Sequence, residues 1–365
     1  MRSTVAIRQA RPAAISASAP PDASAEGGDE PPTEAPIAPQ PALDGAMFGT
    51  QLEPILREQL NGRLSSVSWF RTDWQRGGAL TGFATYTDDQ GQPQDVVVKM
   101  PVPPRERAWL KRCQEHPHRD PLCAFTPELY AHGDTLNGYD LAWVVMEKLP
   151  YGPLNANGSD WGDRAFDLLI AAAADFQNAA RDYPPTEKEI HGRDRLANDW
   201  AKLFAMSREQ VKAKSFPRGQ AWKKALKHYA KKFEALCDQW VARPTIGWCH
   251  GDLHLGNAMS RSPNASTDGQ AHCVLIDFAC VRPGHWVEDA VYCEHLYWHR
   301  PEALNGHKLA SQLGRARKAR GLEVDGDWSQ WADRLRTLYA LTAPATANHQ
   351  GAGVAYLDAA LSRLG

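Results

Sequence analysis

Three oxygen-bearing side chains stand at spacings suited to phosphoryl transfer in His250-Gly251-Asp252-Leu253-His254-Leu255-Gly256-Asn257 and Leu275-Ile276-Asp277-Phe278. That reaction needs a carboxylate to orient the attacking hydroxyl and further oxygen ligands to hold a divalent cation against the triphosphate. Asp252 lies five residues before Asn257, and Asp277 follows twenty residues after the asparagine, at the end of an apolar run. An ionised side chain there is costly without a partner, so a bound ligand explains Asp277 better than a turn does. His250 reads as structural. His254 fits loop positioning, substrate positioning and plain packing alike.

Upstream, Val96-Val97-Val98-Lys99-Met100 places a lysine inside a strongly β-prone run, making Lys99 a candidate to meet the α- and β-phosphates. A lysine at a solvated strand end is the competing reading. The next helix weighs against it, because Glu106, Trp109, Leu110 and Cys113 fall at i, i+3, i+4 and i+7 and so share one apolar face. A carboxylate on that face requires a cation, and Lys99 would supply it; Glu115 is a less suitable substitute. Gly77 and Gly78 lie between two expected strands, where a pair of glycines reads as turn residues. No GxxxxGK[ST] element is present, which disfavours a P-loop enzyme.

HGDLHLGN followed by LIDF resembles the aminoglycoside phosphotransferase and choline kinase family, small-molecule kinases built on the protein-kinase fold. The resemblance runs from about Ser66 to Trp298 and is strongest in the catalytic block. It implies an α+β, two-lobed fold with a small antiparallel sheet lobe and a larger helical lobe. It also implies ATP and Mg²⁺ bound between the lobes, Asp252 as catalytic base or orienter, and Asn257 and Asp277 as metal ligands. Met146 and Glu147, within Val144 to Leu149, read as the lobe linker whose backbone would meet adenine, and the resemblance places Gly77 and Gly78 where such kinases fold a loop over the phosphates. Protein kinases differ in carrying HRD, DFG and APE elements; here Gly251 replaces the arginine, Ala279 follows Phe278, and no APE occurs. Control by an activation-loop phosphate on that arginine is accordingly not expected.

These residues need a scaffold. Ser66–Phe70, Thr81–Thr87 and Asp95–Met100 read as an antiparallel meander, Pro103-Pro104 opens a helix to about Glu115, and Leu141–Leu149 reads as a further strand. After Tyr151-Gly152-Pro153 the periodicity becomes helical over 160–181, 186–206 and 218–241, is interrupted by strands around the catalytic block, and resumes from about Glu288. Residues 1–45, rich in Ala, Pro and Ser, read as a disordered tail, with a nucleotide-binding lobe over 46–149 and a helical lobe with the acceptor site over 150–365. Asp289 suits a helix cap. Glu288, Asp289, Glu294, Tyr297, Trp298, Trp328 and Trp331 form a candidate acidic and aromatic wall for a cationic acceptor, although aromatics at helical spacing also suit a core.

Length bounds the architecture: 365 residues allow about two domains at roughly 100–200 residues each. Net charge is -2, so no overall basic field draws in nucleic acid or a membrane, and the lysines at 223, 224, 227, 231 and 232 read as a solvated helix face. No apolar run is long enough to span a bilayer, and the N-terminus lacks the apolar core of a secretory signal. Seven cysteines without a CxxC pair fit a reducing, cytoplasmic setting, and the spacing of Cys113, His116, His118 and Cys123 matches no familiar zinc module. The expected activity is transfer of the γ-phosphoryl group of ATP to a hydroxyl of a small molecule resembling an aminoglycoside, choline or an amino alcohol. A non-catalytic nucleotide-binding scaffold and a protein Ser/Thr kinase are the alternatives.

Overall fold

A computed structural model describes residues 45–70, 79–116, 125–155, 164–192, 199–262, 273–347 and 353–365 of the chain. The expected tail, Gly77, Gly78, His118 and Cys123 lie outside the described residues, apart from Gly45, where helix α1 (Gly45–Gln59) begins. Strands β1 (Ser68–Phe70), β2 (Leu80–Thr87) and β3 (Pro93–Met100) pair in succession as an antiparallel meander. Helix α2 (Pro104–Gln114) follows, and then β4 (Leu129–Gly133) and β5 (Trp143–Glu147) complete a sheet of order β1-β2-β3-β5-β4. Strand β4 was not expected from sequence: it is short, ends on glycine, and pairs with β5 through a register shift between Leu129 and Ala131.

Period-2 alternation decides what each sheet face does. Val96, Val98 and Met100 of β3 are fully buried in a core shared with Leu56, Leu64 and Val145. Lys99 points the other way, beside its pairing partner Val144, which belongs to the core of the helical part. Helix α2 joins that same core, its Trp109 ring lying 5.5 Å from Phe176 and 4.7 Å from Trp248. One helix therefore carries Glu106 and also fixes the sheet against the helical part.

The helical part comprises α3 (Arg164–Ala180), α4 (Glu187–Gly192), α5 (Trp200–Gln210), α6 (Gly219–Ala230) and α7 (Phe233–Val241), then α8 (Val287–Leu296), α9 (Leu309–Ala319), α10 (Trp328–Thr346) and α11 (Gly353–Ser362). The single helix expected over 186–206 contains α4 and α5, with 193–198 outside the described residues. The one expected over 218–241 is two helices, tightened at Lys231-Lys232 by a bond from the Lys232 amide to the Tyr229 carbonyl (2.8 Å). Trp222, Leu226, Phe233 and Trp240 stay buried across that break, and Lys223, Lys224 and Lys227 face solvent. Between α7 and α8 lie two small antiparallel ribbons, β6 (Gly247–Cys249) with β9 (Arg282–Gly284) and β7 (Ala258–Ser260) with β8 (Cys273–Leu275).

His295 of α8 lies buried, stacked on Tyr339 at 4.0 Å, and burial lowers its pKa to about 4. The unfolded chain takes up this proton near pH 6.5 while the folded chain resists until about pH 4. Stability present at neutral pH is thus lost across that window as pH falls, by an amount on the order of 3 kcal/mol. Denaturant melts between pH 7 and 4 should show this decline, and His295→Phe should flatten it; an unchanged slope in the variant would reject the assignment.

Candidate active site

The loop of residues 250–257 is held by the two ribbons. β7 pairs with β8 through Ala258 and Leu275, and the Ile276 amide donates to the Asn257 carbonyl at 3.0 Å. This pairing sets Asn257 and Asp277 side by side although twenty residues separate them in sequence. Asp277 has φ 63° and ψ 67°, a left-handed backbone that costs a non-glycine residue about 1–3 kcal/mol, and its side chain remains 44% exposed. Strain of this kind is retained where the surrounding structure needs the side chain in one place.

Asp252 receives three side chains. The Asn257 amide nitrogen donates to Asp252 Oδ2 at 3.0 Å and to its carbonyl at 2.9 Å, leaving the Asn257 amide oxygen as the atom able to ligate a cation. The Tyr292 hydroxyl donates to Asp252 Oδ1 at 2.5 Å. His254 Nδ1 accepts from the Gly256 amide (2.9 Å), so its proton sits on Nε2, which lies 3.5 Å from Asp252 Oδ1. Burial pushes the Asp252 carboxyl up, but His254, Tyr292 and His250 outweigh it and hold the group well below the usual carboxylate range. Burial and the adjacent carboxylate push the Tyr292 phenol well above its ordinary value, so it remains a donor.

Asp289 departs from the expected helix cap. It is buried, and its carboxylate accepts the backbone amides of His250 and Gly251 (both 2.9 Å) and the Gln177 side chain (3.2 Å). A buried loop has backbone donors to satisfy, and a helix-borne carboxylate satisfies two at once. His250 Nε2 approaches the Ile276 carbonyl at 3.1 Å, a second brace. Gly251 has φ +82°, and a β-carbon there would collide with the Cys280 carbonyl and the Arg282 guanidinium. Only glycine fits where a protein kinase carries arginine. Gly251→Ala should therefore lower the melting temperature and abolish turnover; a variant with wild-type stability and rate would contradict this packing.

Lys99 Nζ lies 2.7 Å and 2.8 Å from the two Glu106 oxygens and 3.7 Å from Asp277 Oδ1. Glu106 is only 1% exposed. Burial opposes the Lys99 charge, yet the carboxylates of Glu106 and Asp277 outweigh it and raise the lysine above its ordinary value. The pair links α2 and β3 to the strand end carrying Asp277, so a single ammonium joins the sheet to the segment after β8. Met146 sits half-buried on β5, and the Glu147 carboxylate is committed to Arg261 (2.8 and 2.7 Å) and to the Glu128 amide. The Glu147 and Lys148 amides donate to the Glu128 and Asp95 carbonyls (2.8 and 3.0 Å).

The expected acidic and aromatic acceptor wall is not formed. Glu288 is buried between Arg243 (2.8 Å) and Arg282 (3.2 Å), and Glu294 pairs with Arg336 (2.8 Å). Tyr297 and Trp298 lie in the core, and Trp328 and Trp331 pack against it. Helical periodicity registered these aromatics, but core packing claimed them. Among the described residues no three His, Cys, Asp or Glu side chains cluster as a metal site, and His116 pairs with Asp182 (3.1 Å). Tyr292 was missed in the sequence. Its signal was its place three residues after Asp289, one turn along the same face of α8.

Lys99 thus joins Glu106 to Asp277, and Asn257, set beside Asp277 by the paired ribbons, joins Asp252. The sequence profile described as the phosphotransferase enzyme family matches residues 74–333, and the chain belongs to that family. No curated protein matches the chain in a sequence comparison. Among solved structures, it is similar to an aminoglycoside phosphotransferase from Alicyclobacillus acidocaldarius, with 14% identity, TM-score 0.48, and coverage of 82% of this chain and 87% of the other. It is also similar to an aminoglycoside phosphotransferase solved with GDP and kanamycin (19%, 0.48, 85% and 96%) and to an ethanolamine kinase from Plasmodium vivax (10%, 0.45, 90% and 90%).

Proposed function

We propose that the protein transfers the γ-phosphoryl group of ATP to a hydroxyl of a small molecule resembling an aminoglycoside, choline or an amino alcohol, with Mg²⁺ as cofactor. The observation that carries this reading is the contact of Lys99 with both Glu106 and Asp277, which joins a phosphate-binding cation to the catalytic loop. The donor set fits the cofactors. Asn257 Oδ1 and the exposed Asp277 carboxylate are hard oxygen donors suited to Mg²⁺, and Lys99 has a third proton left for a phosphate oxygen. When bound, Mg²⁺ supplies positive charge to the β- and γ-phosphates.

The side chains then divide the work. Lys99, fixed by Glu106, would hold the α/β-phosphates, while Asn257 and Asp277 would hold the metal. Asp252 Oδ1 accepts the hydrogen bond of the acceptor hydroxyl and turns its oxygen toward phosphorus. Because Asp252 is a weak base, it takes the proton late, after the bond to the leaving nucleotide has loosened, as a dissociative transition state allows. Met146 and Glu147 border the base. The test is an ADP-release screen of purified protein against hydroxyl-bearing metabolites and antibiotics, with and without Mg²⁺. Acceptor-dependent, Mg²⁺-dependent ADP release is expected for a confined chemical class, and none with any alcohol would reject the proposal.

A further inference from the structure

We infer that Tyr292 is a positioning residue that stands in for the acceptor, its hydroxyl occupying the Asp252 oxygen that an incoming alcohol needs and so keeping water out of that place. The inference rests on the phosphotransferase reading and deepens it. Among the described residues, the Asp252 carboxylate meets Asn257 on Oδ2 (3.0 Å), and Tyr292 (2.5 Å) and His254 (3.5 Å) on Oδ1. Asn257 belongs to the metal side, so Oδ1 is the acceptor-facing oxygen, and a phenolic O–H already sits on it. Phenol and alcohol offer the same donor chemistry.

The tyrosine is held there by its helix. One turn earlier, Asp289 pins α8 to the His250 and Gly251 amides, and the Tyr292 ring lies 5.2 Å from His295, which is stacked on Tyr339. A donor tethered in place has an effective concentration that can exceed that of bulk water. Water brings no further contacts with which to displace it, whereas a bound acceptor does. This matters because water is itself a hydroxyl: if oriented by Asp252, its oxygen would bond to the γ-phosphorus. The bond to the β-γ bridging oxygen would break, the proton released by the water would pass to Asp252, and the products would be ADP and inorganic phosphate.

The experiment measures phosphate release from ATP and Mg²⁺ by the full-length protein without any acceptor. Tyr292→Phe should raise this leak about tenfold with nucleotide KM unchanged, and adding Asp252→Asn should remove the gain. A merely structural tyrosine would give loss, not gain. Tyr292→Met, which removes both hydroxyl and ring edge, should leak in the same direction and guards against a folding effect peculiar to one variant. A leak equal to or below that of wild type in a variant that binds ATP and melts normally overturns the inference, as does a gain indifferent to Asp252. Failure of wild type itself to bind Mg²⁺-ATP would instead remove the phosphotransferase reading on which the inference depends.

Discussion

Asp252→Asn is expected to lower phosphoryl transfer by about 10²–10⁴-fold while leaving nucleotide affinity within a few-fold of wild type. Asparagine keeps the size of the side chain and one acceptor oxygen, so it can still receive a hydrogen bond from Asn257 or Tyr292. It cannot take a proton, and it no longer carries the charge that directs the acceptor hydroxyl. The lost interaction belongs to the transition state, so kcat should fall and the nucleotide KM should hold. Steady-state kinetics beside nucleotide titration checks both halves. Loss of binding together with rate would mean that Asp252 holds the nucleotide site rather than the acceptor.

Lys99→Met should act twice, on stability and on binding. Glu106 is buried and would lose the ammonium 2.7 Å away, and breaking a buried pair from one side costs about 3–5 kcal/mol. Burial already pushes the Glu106 carboxyl up against the pull of Lys99, so without the lysine it would take up a proton. Nucleotide affinity should drop as well, since no cation remains for the phosphates. The double variant Lys99→Met/Glu106→Gln separates the two effects: melting should recover much of its loss and ATP affinity should not. Recovery of affinity would show that the lysine serves folding alone.

The parts of the site legible in the sequence are those whose geometry is local. Asp252 to Asn257 is one loop, Glu106 to Cys113 is one helix face, and alternation along β3 decides where Lys99 points. The Lys99–Glu106 pair spans only seven residues and one turn of chain. What escaped sequence reading was fixed by distant packing. Asp289 reaches its amide donors across 38 and 39 residues, Tyr292 reaches Asp252 across 40, and Arg261 reaches Glu147 across 114. No periodicity encodes such contacts. The acceptor wall failed for a related reason: a carboxylate on an aromatic helix reads the same whether it faces a ligand or a buried arginine. Two arginines claimed Glu288, and burial raises its pKa less than they lower it, to about 2.

In the proposed reaction Lys99, Asn257 and Asp277 grip one nucleotide through an ammonium and a divalent ion while Asp252 attends to the acceptor. Calorimetric titration of ATP into wild type, Asp277→Ala and Asp252→Asn, each with and without Mg²⁺, tests it most directly. Mg²⁺ should strengthen ATP binding at least about tenfold in wild type and Asp252→Asn and do nothing in Asp277→Ala. Equal affinity with and without Mg²⁺ in wild type, or an Asp277→Ala variant that keeps the full Mg²⁺ effect, would contradict it.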